Sequence, residues 1–151
     1  MSGLVVVFRV GATHYGIGIE SVDEVLPELG VTPLPGAAEG VIGTIDVRDG
    51  VVPVYDIHGR FAAGQRRSTS DSRIILVSLR EGAVALPVDG VDEVAWIDPA
   101  SVRGSDVPGQ SSELSYLIGV AHHRGQQLFW IDPEKLIPVA VQRTRRLARV
   151  A

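Results

Sequence analysis

The chain has 151 residues, of which 45% are hydrophobic and 21% charged, and a net charge of -4. One domain of ordinary globular composition fits these values, whereas a disordered or fibrous chain does not. The absence of cysteine excludes disulfides, thiolate zinc sites and cysteine nucleophiles, and the acidic balance argues against broad phosphate binding, which needs a surplus of Lys and Arg on the contacting face.

Twenty-three valines stand against one methionine and one lysine, Lys135. Side chains branched at Cβ are stiff at χ1 and favour pleated sheet over helix. Short apolar stretches separated by turn residues predict strands, in chain order, at Leu4–Val10, His14–Ile19, Val41–Val47, Val51–Ile57, Arg73–Leu79, Ala83–Val88, Tyr116–Ala121 and Gln127–Ile131. Gly11-Ala12-Thr13, Arg48-Asp49-Gly50, Arg80-Glu81-Gly82 and Arg124-Gly125 supply the turn chemistry for four hairpins. Ala62–Ser72 and Arg103–Ser115 are polar and small and read as exposed loops, the first being the natural lobe boundary. The expected lobes are 4–64 and 72–138, with room for strand exchange between them. Residues 139–151 carry Arg143, Arg145, Arg146 and Arg149 and read as a solvated basic tail. The opening MSGLVVVFR has no basic n-region, and no apolar run approaches the ~20 residues of a membrane span, so a cytoplasmic protein is expected.

An internal repeat organises the whole chain. Tyr15 to Val25 aligns with Val84 to Val94, with identical Val-Asp-Glu-Val cores at 22–25 and 91–94. Ile42-Gly43 leads to Arg48 and Asp56 at the spacings by which Ile118-Gly119 leads to Arg124 and Asp132. Each half thus reads as hairpin, Val-Asp-Glu-Val turn, hairpin. Units this small bury little alone, which predicts an all-β fold of two small barrels packed through a shared hydrophobic core.

Signs of catalysis are weak. The lone lysine follows Glu134 and precedes no Ser or Thr, so a phosphate loop of the Walker kind is excluded, and Gly16-Ile17-Gly18 is only a fragment of a dinucleotide fingerprint. No cofactor is expected. Of the histidines His14, His58, His122 and His123, the adjacent pair points to opposite sheet faces, poor geometry for one metal, and no metal site is expected. Asp56, Asp98 and Asp132 stand at strand ends or before proline, where Asp caps or turns the chain.

From Leu4 to Ile137 the order of features resembles the CheW-like domain, the bacterial chemotaxis coupling family. Phe8-Arg9-Val10, Tyr15-Gly16-Ile17, then Ile19, Val22, Glu24 and Val25 are similar to that family's opening hairpin and V-x-E-[IV] segment, and Thr32-Pro33-Leu34-Pro35 follows. The most specific piece is Gly43 to Ile57, GTIDVRDGVVPVYDI, which resembles the family signature G-V-I-N-L-R-G-x-V-V-P-V-x-D-L. Asp46 and Asp49 depart from it, at positions where Asn and Gly are usual, and both add negative charge.

The resemblance implies two five-stranded, SH3-like barrels and no catalysis. It also implies a scaffold that bridges chemoreceptor cytoplasmic tips to the regulatory domain of a CheA-like histidine kinase. Val22, Gly43 and Arg48 match positions lining the family's receptor groove, and Glu24 matches the partner of Arg48 in an ion pair there, with Asp46 a rival acid on the same strand. Read from the residues alone, Val22 serves equally as core, Gly43 as a backbone bend and Arg48 as a solvated hairpin residue. Two other readings stay open: a CheW-like adaptor serving a different signalling system, and a small-barrel ligand or nucleic-acid binder. The latter needs aromatic platforms and basic grooves, yet only 5% of residues are aromatic.

Overall fold

The computed structural model describes residues 3–48, 50–103 and 115–144. Ten strands run in the order β1 (Leu4–Val10), β2 (Thr13–Gly18), β3 (Val22–Pro27), β4 (Val41–Val47), β5 (Gly50–Tyr55), β6 (Arg73–Ser78), β7 (Ala83–Val88), β8 (Gly90–Trp96), β9 (Leu117–His123) and β10 (Gln126–Ile131). Three one-turn helices accompany them: α1 (Ile57–Arg60), α2 (Pro133–Leu136) and α3 (Val139–Gln142). The four expected hairpins are β1–β2, β4–β5, β6–β7 and β9–β10.

The Val-Asp-Glu-Val segments, expected as turns, are strands. In β3, Val22 pairs with Val77 and Glu24 with Leu76, so Asp23 is the extra residue of a bulge. In β8, Val91 pairs with Phe8 and Glu93 with Val7, which leaves Asp92 in the same role. Two adjacent acids break the period-two pattern that marks a strand, and the bulge absorbs one of them.

The sheets interleave the two halves of the chain. One sheet has the order β8-β1-β2-β10-β9 and the other β3-β6-β7-β5-β4. Translating each element to its counterpart in the repeat converts one order into the other, so each half lends its first hairpin to the sheet of the other half. The 4–64 and 72–138 segments are therefore intertwined rather than side by side. Short corners enforce this. A single 3-10 turn, Ile19–Ser21, separates β2 from β3, and only Asp89 separates β7 from β8. Neither link reverses the chain, so the third strand continues into the facing sheet.

The two barrels expected from the sequence are open five-stranded sheets whose edges meet at isolated bridges. Beyond β3, Thr32 exchanges both backbone hydrogen bonds with Thr44 of β4, each 2.8 Å. Beyond β8, Arg103 does the same with Val120 of β9, at 3.1 and 2.8 Å.

Three apolar clusters follow from this curling. Val6, Phe8 and Ile17 of one sheet meet Ile75, Val77 and Leu86 of the other in the shared central core. Val5, Val7, Leu128 and Trp130 fill the curl of the first sheet, and Ile74, Leu76, Val52 and Val54 take the equivalent places in the second. Because β1 is covered on both faces, it reads as a continuous apolar run rather than an alternating one. Fully burying each such side chain is worth about 1.5–3 kcal/mol.

Asp56, Asp98 and Asp132 each cap a helical turn, accepting from the backbone N–H of Gly59, Ala100 and Glu134 at 3.0 Å. The segment from residue 139, expected as part of a solvated tail, is docked: Val141 and Gln142 are buried, and Gln142 donates to the Ile137 carbonyl at 2.9 Å. Arg143 pairs with Glu81 at 3.2 Å. Arg145, Arg146 and Arg149 lie outside the described residues, as does Asp49.

Candidate functional site

The five residues expected to bind partners lie on β3, β4 and the end of β4, but they play different parts. Val22 is half-buried and packs against the central core, so its first duty is packing. Gly43 is buried on β4 where the isolated bridge closes the sheet. A Cβ there would stand 2.2 Å from the Thr32 carbonyl oxygen and 2.7 Å from Val31 Cγ1, so only glycine admits the close approach. Its counterpart Gly119 meets the Arg103 carbonyl oxygen at 2.4 Å in the same way. Asp46 is exposed on β4, opposite Val51.

Glu24 and Arg48, both exposed, share a depression of about 300 Å³ with Asp23, Val47 and Leu76. The expected ion pair does not form. Among the described residues neither Glu24 nor Asp46 is bonded to Arg48, so this corner presents three acids and one base with open valences.

The pair does form in the second copy of the repeat. Glu93 Oε2 accepts from Arg124 Nε at 2.7 Å and from His123 Nε2 at 3.1 Å. Arg124 adopts φ +53° in the β9–β10 turn, a conformation that costs a non-glycine residue on the order of 1–2 kcal/mol. Asp92, in the bulge, pairs with Arg9 at 3.0 Å and His14 at 3.3 Å. The hydrogen bond from His123, then that from Arg124, holds the Glu93 carboxyl below the usual carboxylate range.

The difference lies in the turn as well as in the neighbours: Arg124 takes the left-handed conformation and Arg48 does not. Where the second corner has His123, Arg9 and His14, the first has Val47, Ser78 and Ala83. Because the hairpins are exchanged, Arg9 and His14 reach Asp92 from the opposite half of the sequence. That contact was invisible to a reading that kept each half separate; the signal was the shared Val-Asp-Glu-Val core combined with the pairing of β1 to β8.

Of the remaining histidines, His58 is buried on α1, with Nε2 3.0 Å from both oxygens of Asp89, whose Oδ2 also accepts from the Gly11 N–H at 2.6 Å. This trio ties α1 to the first hairpin and to the β7–β8 corner. Among the described residues no three His, Asp or Glu side chains gather in metal-binding geometry, and no helix is long and apolar enough to cross a membrane.

A frame of two interleaved sheets that carries one neutralised corner and one open corner defines a β-sheet recognition module. The CheW-like domain profile matches residues 4–141. Among curated proteins, the chain is 25% identical over 133 residues to Chemotaxis protein CheW of Rhizobium meliloti, covering 88% of this chain and 86% of the relative. It is 28% identical over 138 residues to Protein FrzA of Myxococcus xanthus, covering 90% and 86%. The crystal structure of the scaffolding protein TtCheW from Thermoanaerobacter tengcongensis matches with a TM-score of 0.80 and 31% identity, over 93% of this chain and 91% of that one. The chain belongs to the CheW-like domain family.

Proposed function

We propose that this chain is a non-catalytic adaptor of the cytoplasm that couples chemoreceptors to a CheA-type histidine kinase. The observation that carries the reading is the family match over residues 4–141, joined by relatives named as chemotaxis CheW proteins and by a scaffolding protein of the same fold. A shared fold alone does not license a function; here the match extends to the signature hairpin at Gly43–Ile57. The finer assignment is that the receptor's cytoplasmic tip meets the open corner of β3 and β4. Arg48, Glu24 and Asp46 supply its charges, Val22 its apolar floor, and Gly43 the close backbone approach beneath them. Unpaired charges at this corner support the assignment, because they pay no cost of breaking an internal ion pair before meeting a partner. Exposed Asp46, where the family signature has Asn, makes this surface more acidic, which favours a receptor tip richer in Lys or Arg at the contact. The net charge of -4 supports a protein partner over nucleic acid.

The test is Arg48→Glu in a pull-down with a receptor cytoplasmic fragment and the kinase regulatory domain. Loss of receptor capture is expected, with folding stability unchanged within about 0.5 kcal/mol, as for exposed substitutions generally. Unaltered capture of both partners overturns the assignment of this corner.

A further inference from the structure

Five of the chain's eight aromatic side chains (three Phe, three Tyr and two Trp in all) gather at one place on the β8-β1-β2-β10-β9 sheet. Tyr15 stacks on Phe61 with ring centroids 4.2 Å apart and planes at 11°. Phe8 lies 5.8 Å from Tyr15 on one side and Phe129 6.0 Å on another, while Tyr116 stands 5.7 Å from Phe61. Beside them opens a cavity of about 260 Å³ lined by Thr13, Tyr15, Tyr116, Leu117, Phe129 and Ile131. The guanidinium carbon of Arg60 lies 4.9 Å from the centre of the Tyr116 ring.

The fold does not require this cluster. At the equivalent positions of the other sheet, Val77, Val84, Ile137, Gly40 and Pro53 replace Phe8, Tyr15, Phe61, Tyr116 and Phe129, and Leu136 replaces Arg60. The same architecture is thus built there without a ring at any of these places. Among the described residues no carboxylate lines the cavity, and the side-chain polar groups there are the hydroxyls of Thr13, Tyr15 and Tyr116. Burial pushes the hydroxyl pKa values of Tyr15 and Tyr116 up, so both stay protonated and able to donate. Among the described residues Arg60 forms no ion pair with a carboxylate, and its guanidinium rests on Tyr116. Arg60 itself lines the neighbouring chamber, together with Glu39 and Asp56, and reaches the aromatic cavity's wall through Tyr116; Asp56 is committed to capping α1.

We propose that the aromatic cavity beside Arg60 is a binding site for a small aromatic carboxylate, its ring held among Tyr15, Tyr116 and Phe129 and its anion by Arg60. Ring stacking supplies affinity, and the guanidinium fork, which suits a carboxylate, supplies selectivity for the charged form. The site goes beyond the adaptor reading and does not depend on it, because the supporting result is read on the protein alone.

Indole-3-acetate is titrated into the whole protein, with amide shifts followed by two-dimensional NMR and uncharged indole as the comparison. Saturable shifts on β2, β9, β10 and α1 are expected, with a dissociation constant on the order of 1 mM or tighter. Arg60→Gln should weaken the acid about tenfold while leaving indole unchanged; Phe129→Leu should weaken both. Shifts that fail to saturate by roughly 10 mM, that fall elsewhere, or that are equal in the wild type and Arg60→Gln overturn the proposal. Cavity shifts that arise only on adding the receptor fragment or kinase domain also overturn it, and assign the pocket to a protein side chain instead.

Discussion

The two Val-Asp-Glu-Val corners share strand pairing, bulge, paired glycine and a hairpin arginine, yet one is electrostatically closed and the other open. At the β8 corner, Asp92 and Glu93 are held by Arg9, His14, His123 and Arg124. At the β3 corner, Asp23 and Glu24 share a depression with Arg48 and, among the described residues, bond to nothing basic. A duplicated frame therefore does not fix the fate of its charged side chains. Two differences go with the change from ion cluster to open charge: the flanking residues, Val47 for His123, Ser78 for Arg9 and Ala83 for His14, and the hairpin arginine's backbone, left-handed at Arg124 and not at Arg48.

The largest expected effect tests whether the frames are as alike as they look. Gly43→Ala and Gly119→Ala should each cost about 1–3 kcal/mol in urea unfolding, because the added methyl meets a backbone carbonyl that cannot swing aside. Similar losses uphold the equivalence of the two bridges. A tolerated Gly43→Ala would mean that the first bridge yields, and that this corner is looser as well as more open.

The next effect separates the corners by charge. Glu93→Gln should lower the thermal midpoint, whereas Glu24→Gln should leave it in place. The sign with pH follows from the direction of the Glu93 shift. A carboxyl whose pKa is lower folded than unfolded stabilises the fold fully above its ordinary value of 4.5, and that contribution is lost as the pH falls below it. The acid limb of the stability curve should therefore be shallower in Glu93→Gln than in the wild type, and the same in Glu24→Gln as in the wild type. Equal acid limbs for wild type and Glu93→Gln would show that the cluster adds nothing to stability.

The smallest effect is a transplant. Val47→His puts an imidazole where His123 stands in the other corner, and NMR titration should then find the Glu24 carboxyl shifted down. An unshifted Glu24 would mean that Arg9 and His14, on the neighbouring acid, are needed to orient the cluster.

Much of this was legible in the sequence. Alternation and turn residues located eight strands and all four hairpins, and the duplicated Val-Asp-Glu-Val core announced two equivalent units. The two missed strands, β3 and β8, were hidden because Asp23 and Asp92 sit in bulges, where two successive polar residues break the strand period without ending the strand. The ion pair was expected at Glu24 and Arg48 and found at Glu93 and Arg124. The motif specifies where the acid and the arginine stand, but the turn conformation at Arg124 and the neighbouring His123 go with their meeting, while Arg9 and His14 from the other half of the chain hold the adjacent Asp92. Gly43 was left between packing and binding; the Thr32 carbonyl oxygen, which would stand 2.2 Å from any Cβ there, makes it first a packing residue. The aromatic cluster was not foreseen, because its rings come from β1, β2, the residue after α1, the approach to β9, and β10, which no local pattern connects.

The exchange of hairpins has a consequence for the chain as a topological object. Each sheet needs strands from both sides of the connection at residues 62–72, so the first half has no finished sheet to fold into until the second has been made. During synthesis β1 and β2 must wait, edges unpaired, for β8 and β10. The same dependence makes the halves natural complements. A cut within that exposed connection leaves two fragments joined by the β1–β8, β2–β10, β3–β6 and β5–β7 pairings and by a common core. The broken chain should hold together as one body and come apart in a single step.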